Sequence, residues 1–132
     1  MATGWNKQLE TGNAIIDNQH KELFEAFDRF LEACSSGKGK DEVDRTLDFL
    51  VNYTVRHFAD EEKLQVQFNY SGYEQHKKMH DNFKAVVQEL SDQLKKEGPT
   101  AILTTKATMV IGDWLRNHIR VEDQKIANHI KR

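Results

Sequence analysis

The stretch HFADEEKLQVQFNYSGYEQHKKMH, from His57 to His80, carries two pairs of metal-binding side chains, His57 with Glu61 and His76 with His80, each pair four positions apart. On an α-helix, residues i and i+4 lie about 40° apart around the axis and roughly 6 Å apart along it, so each pair can present both side chains to a shared point. Two such turns facing each other would make a cage for two metal ions. Nitrogen and oxygen must do the binding, because Cys34 is the only cysteine and neither a thiolate cluster nor an intramolecular disulfide can form.

The 132 residues, 38% of them apolar, suffice for one domain over 1–132 with a buried core. Charged residues make up 30% of the chain but nearly cancel, to a net of −2. That balance supplies no basic footprint for nucleic acid and no patch for an anionic membrane. The N-terminal MATGWNKQLETG lacks the features of a secretory signal, and no run reaches bilayer-spanning length. A cytoplasmic location is expected, although a domain cut from a longer membrane receptor would read the same way.

Hydrophobic periodicity predicts the elements that position the cage. Residues 1–16, with Trp5, Leu9, Ile15 and Ile16 scattered among Gly and polar residues, read as an extended arm. A first helix over 17–35, capped by Asp17, places Ile16, His20, Leu23, Phe24, Phe27, Phe30, Leu31 and Cys34 on one face. SSGKGK ends it. The second, over 41–66, runs inward through Val43, Leu47, Leu50, Thr54, His57, Glu61 and Leu64. A capping box of Ser71 and Glu74 opens the third, over 72–97, whose seam is Tyr73, His76, His80, Phe83, Val87, Leu90 and Leu94. After Gly98-Pro99 a fourth helix spans 100–119, and an amphipathic tail covers 123–131. Short connections imply an all-α, up-down-up-down antiparallel four-helix bundle.

In that topology the starts of helices one and three meet the ends of two and four. His20, His57, Glu61, His76, His80 and His118 then fall at one level. The gaps agree: 37 positions from His20 to His57 and 38 from His80 to His118 are excursions away and back, whereas 15 from Glu61 to His76 is a turn beside the site. One histidine on an apolar face reads as a hydrogen-bonded core residue, but five with a carboxylate would cost several kcal/mol to bury uncompensated. Six groups exceed one tetrahedral ion, so two ions are implied. Bridging favours carboxylates, and Asp123 is the natural partner for Glu61. On a regular helix i+5 lies about 140° around the axis, so the fourth helix must end or distort between His118 and Asp123. His129 lies outside the seam and reads as non-functional.

A histidine within IDNQH, then HxxxE at 57–61, HxxxH at 76–80 and HxxxxD at 118–123, resemble the hemerythrin family, particularly its bacterial members. The arm with Trp5 and the segment LETGNAIID are similar too. The resemblance implies a di-iron centre in which His76, His80 and His118 bind one iron and His20 and His57 the other. Glu61, Asp123 and an oxo or hydroxo group would bridge them. It further implies that dioxygen binds at the two-histidine iron, two ferrous ions giving one electron each to form a hydroperoxide, and that release reverses this.

Five neutral imidazoles against two carboxylates put less negative charge on the irons than carboxylate-rich di-iron bundles do, which favours reversible binding over oxidation. Leu23, Phe58, Trp114 and Leu115 are candidate walls of a dry oxygen pocket. No catalytic acid or base stands near. The expected function is reversible dioxygen binding for transport, storage or delivery, without enzymatic activity. The rivals are an oxygen- or redox-sensing module acting on a signalling partner domain and a di-iron enzyme reducing peroxide or nitric oxide. Gly-rich phosphate loops and HExxH helices are absent, Cys34 reads as core filler, and DEVD at 41–44 and DEEK at 60–63 read as solvated faces apart from Glu61.

Overall fold

The computed structural model describes residues 9–37 and 39–130; Trp5 and most of the predicted arm lie outside them. The described residues are all-α: α1 (Ala14–Ser35), α2 (Lys40–Gln67), α3 (Tyr73–Glu97) and a fourth helical stretch that continues unbroken to Ile130. None of these helices is long and apolar enough to cross a membrane. Contacts between sequence neighbours dominate the packing of α1 on α2 and α2 on α3. Phe24, Phe30, Leu47, Leu50, Leu90, Leu94 and Ile111 are all but fully buried between them, and truncating any to alanine would cost about 2–5 kcal/mol.

Partners across each packed pair run in opposite senses along the chain. Between α1 and α2, Gln19 meets Asp60 and Glu22 meets the Tyr53 hydroxyl. Between α2 and α3, Glu62 meets His80 and Asp48 meets Lys95. Between α3 and the fourth stretch, His76 meets His118 and the Phe83 ring stacks on Trp114.

Two helix starts differ from the sequence reading. α1 begins at Ala14, capped by Asn13, whose carboxamide oxygen accepts from the Ile15 and Ile16 amides at 3.1 Å. Asp17 is not the cap, because its buried carboxylate is committed to the chain before the helix: it accepts from the Thr11 amide at 2.8 Å, the Thr11 hydroxyl at 2.7 Å and the Gly12 amide at 3.2 Å. Asp17→Ala would orphan these donors and is expected to lower the unfolding free energy by about 2 kcal/mol, read as a lower urea midpoint. At α3 the capping box does not form. Gly72 precedes the first helical residue and has no side chain to cap with, and the Tyr70 ring occupies the place where a Cβ on Gly72 would stand.

The fourth stretch is where the helix geometry changes. It reads α4 (Ala101–Ala107), a π turn (Thr108–Gly112), α5 (Asp113–His118), a second π turn (Ile119–Asp123) and α6 (Gln124–Ile130). The conflict between His118 and Asp123 is therefore resolved by distortion, not by an end: a π turn closes i→i+5, so Asp123 comes over His118. What read as a separate tail is the continuation of the same helix. It is anchored by His129, whose Nε2 donates to the Phe68 carbonyl at 2.7 Å, and by Gln124, whose amide donates to the Leu9 and Glu10 carbonyls.

Candidate metal centre

His20, His57, Glu61, His76, His80, His118 and Asp123 come from all four helical segments and meet in the interior, none more than 5% exposed. Their ligand atoms form two overlapping groups, each with all atoms within 4.8 Å of one another: Glu61, His76, His80, His118 and Asp123 in one, and His20, His57, Glu61 and Asp123 in the other. Glu61 and Asp123 belong to both. In the first group His118 Nε2 stands 2.9 Å from His76 Nε2 and 3.2 Å from His80 Nε2. Glu61 Oε1 lies 2.9 Å from His76 Nε2 and 3.2 Å from His80 Nε2, and Asp123 Oδ1 lies 3.1 Å from both His76 and His118. In the second, His20 Nε2 is 2.9 Å from Asp123 Oδ2, and His57 Nε2 is 3.4 Å from Glu61 Oε2.

These approaches are close enough for charge to act, yet both Glu61 oxygens, Asp123 Oδ1 and His20 Nε2 make no aligned hydrogen bond. The groups aim at common points between them more than at one another. Such convergence of buried nitrogen and oxygen donors, without thiolate, fits a first-row transition metal.

Electrostatics agree. Burial opposes charge on His20 and His76, but the Asp123 and Glu61 carboxylates outweigh it and raise both to about 9. Burial likewise opposes charge on Glu61, and the surrounding histidines hold it well below the carboxylate range. Burial and the Glu61 charge oppose ionisation of Asp123, and His118 and His20 more than compensate. The cluster is built to keep its carboxylates ionised and to hold positive charge among them, in the form of protons when metal is absent.

The outer faces of two histidines are fixed by groups that the sequence reading passed over. His57 Nδ1–H donates to Gln19 Oε1 at 2.7 Å, and the Gln19 amide donates to Asp60 at 3.2 Å. His80 Nδ1–H donates to Glu62 at 2.9 Å. Each bond fixes the tautomer that turns the Nε2 lone pair inward. Asp60 and Glu62 are thus not merely a solvated face; their position beside the buried Glu61, on the flanks of α2 that meet α1 and α3, was the available signal. Gln65, also overlooked, is fully buried where Leu64 was expected to be.

The predicted pocket walls divide. Leu23 and Leu115 are buried in the core, whereas Phe58 stacks on His80 at 3.8 Å between ring centres and the half-buried Trp114 stacks on His118 at 4.2 Å. Cys34 is half-buried at the far end of α1, and burial pushes its thiol up.

Fold and site together define a class: an all-α protein with a buried histidine–carboxylate cluster able to hold metal. Residues 11–130 match the family model described as the hemerythrin HHE cation binding domain. The chain is 32% identical to the bacteriohemerythrin of Stenotrophomonas maltophilia (strain R551-3) over 127 residues, 96% of this chain and 80% of that one. It is also 32% identical to the myohemerythrin of Sipunculus nudus over 122 residues, 92% of this chain and 88% of the other. The bacteriohemerythrin of Methylococcus capsulatus (strain Bath) is 31% identical over 117 residues, 89% and 87% of the two chains. The chain belongs to the hemerythrin family. That family binds a di-iron centre, and the donor set here fits one.

Proposed function

We propose that this protein binds dioxygen reversibly, as a carrier, store or delivery protein, at a centre of two iron ions. The observation that carries the reading is the pair of overlapping donor groups that share Glu61 and Asp123. On this reading His76, His80 and His118 would hold one iron and His20 and His57 the other. Glu61 and Asp123, which belong to both donor groups, would be shared between the two. The di-iron centre, when bound, supplies the reversible reduction and release of dioxygen.

The chain's own residues supply the setting. Gln19 and Glu62 lock His57 and His80 in the ligating tautomer, while Phe58 and Trp114 brace the rings of His80 and His118 by stacking. Leu23 and Leu115 would keep the oxygen side dry. Binding in preference to catalysis is supported by the excess of neutral imidazoles over carboxylates, which limits the negative charge on the irons. The opposed contact order of neighbouring helices supports an up-down-up-down antiparallel bundle as the frame. A lone cysteine suits the reducing cytoplasm.

Reduced, iron-loaded protein is expected to take up about one dioxygen per pair of irons, with a visible band that disappears when oxygen is removed and returns on re-exposure. Irreversible bleaching after one exposure, or steady turnover with a reductant, would replace this reading with an enzymatic one. His118→Ala is expected to lower metal content by removing a ligand that nothing else replaces; full retention of two irons would overturn its assignment.

A further inference from the structure

We infer that Glu62, through its bond to His80, lowers the reduction potential of the three-histidine position. The inference rests on the ligand assignment proposed above. The observation is an asymmetry in the partners behind the histidines. His80 Nδ1–H donates to a carboxylate, Glu62 Oε2, at 2.9 Å, whereas His57 Nδ1–H donates to a neutral carboxamide, Gln19 Oε1, at 2.7 Å. The carboxylate on the His57 side, Asp60, is one group further out and reaches the imidazole only through the Gln19 amide at 3.2 Å.

The two arrangements have different consequences at Nε2. A carboxylate accepting Nδ1–H draws the proton toward itself and leaves more electron density on the ring, so the imidazole becomes a stronger donor. A stronger donor stabilises the ferric over the ferrous ion. A carboxamide orients the ring equally well but transmits less charge, being polarised only at second hand. Glu62 is placed to act this way: its side chain is 15% exposed, buried enough for its charge to be felt at His80. The His80 ring stacks on Phe58 at 3.8 Å and 2°, which favours the orientation that keeps it in line with its partner.

Glu62 is a positioning residue, acting through His80, and its charge can be separated from its geometry. Glu62→Gln keeps an oxygen acceptor of the same reach and removes the charge; Glu62→Leu removes both. In iron-loaded, full-length protein, Glu62→Gln is expected to retain two irons and to shift the ferric-to-ferrous ratio about tenfold toward ferrous at fixed potential, about 59 mV for one electron. Glu62→Leu is expected to show that shift and, with Nδ1–H left unpaired, to bind zinc about 10–100-fold more weakly in a chelator competition. Gln19→Leu is expected to weaken zinc binding without the potential shift. If Glu62→Gln holds two irons at the wild-type potential, the inference fails and the ligand assignment stands. If wild-type protein itself does not take up two irons, both fail.

Discussion

Glu61→Ala is expected to be the most damaging single substitution in the chain. Among the described residues, Glu61 is the one side chain whose oxygens lie within 4 Å of four histidines, at 2.9 Å from His76, 3.2 Å from His80, 3.4 Å from His57 and 3.7 Å from His20. If Glu61 serves both positions, as proposed from its place in both donor groups, its loss should lower metal content from two ions to fewer than one. In the metal-free protein it strips a counter-charge from the protonated His20 and His76, and breaking a buried pair of this kind costs about 3–5 kcal/mol. Metal analysis and urea denaturation of the metal-free variant check the two halves separately. Glu61→Ala protein with two bound ions and an unchanged urea midpoint would contradict both.

The second large effect is a pH dependence that metal reverses. His20 and His76 are raised from the ordinary 6.5 to about 9 in the folded protein. Their contribution to stability is therefore fully present below about pH 6.5 and is lost as the pH rises through 9, on the order of 3 kcal/mol for each histidine. Glu61 and Asp123 are depressed, so their contribution is present above the ordinary carboxylate range and is lost as pH falls through it and below. Metal-free protein should be most stable at mildly acid pH and weaken steadily toward pH 9. Metal cations replace the protons, so the loaded protein should lack the alkaline decline, and loading at pH 7 should release protons into an unbuffered solution. Melting curves of metal-free and zinc-loaded protein from pH 6 to 9 test this; parallel curves would contradict it.

The convergence of the candidate ligands was legible because helix geometry leaves little choice. Histidines and carboxylates at steps of three and four share a face with Leu47, Leu50, Phe83 and Val87, and a polar group on such a face needs a reason to be buried. Asp123 was legible as a conflict: five positions from His118 put it on the wrong side of a regular helix, so the backbone had to give. That it gives by a π turn depends on tertiary demands that local pattern does not encode. The turn at Thr108–Gly112 left no trace at all, since Val110, Ile111, Trp114 and Leu115 fit an undistorted helix equally well.

Local rules misplaced two caps. Asp17 and Asn13 are both capping residue types, and only the position of Thr11 and Gly12 in space decides that Asp17 serves the preceding segment. Gln19, Asp60 and Glu62 were hidden for a different reason. They sit at the edge of the buried face, where composition resembles any solvated helix surface, and their role appears only once the neighbouring helix supplies the histidine. His129 was hidden in the same way, its partner being a backbone carbonyl 61 positions away.

On the proposed reading, one buried cluster holds two irons that respond to oxygen. Metal content of protein purified from its native cell, recorded with its visible spectrum under oxygen and under inert gas, tests it most directly. The expected result is two irons per chain and a visible band that comes and goes with oxygen. A single ion per chain, or two ions other than iron with no oxygen-dependent band, would contradict it.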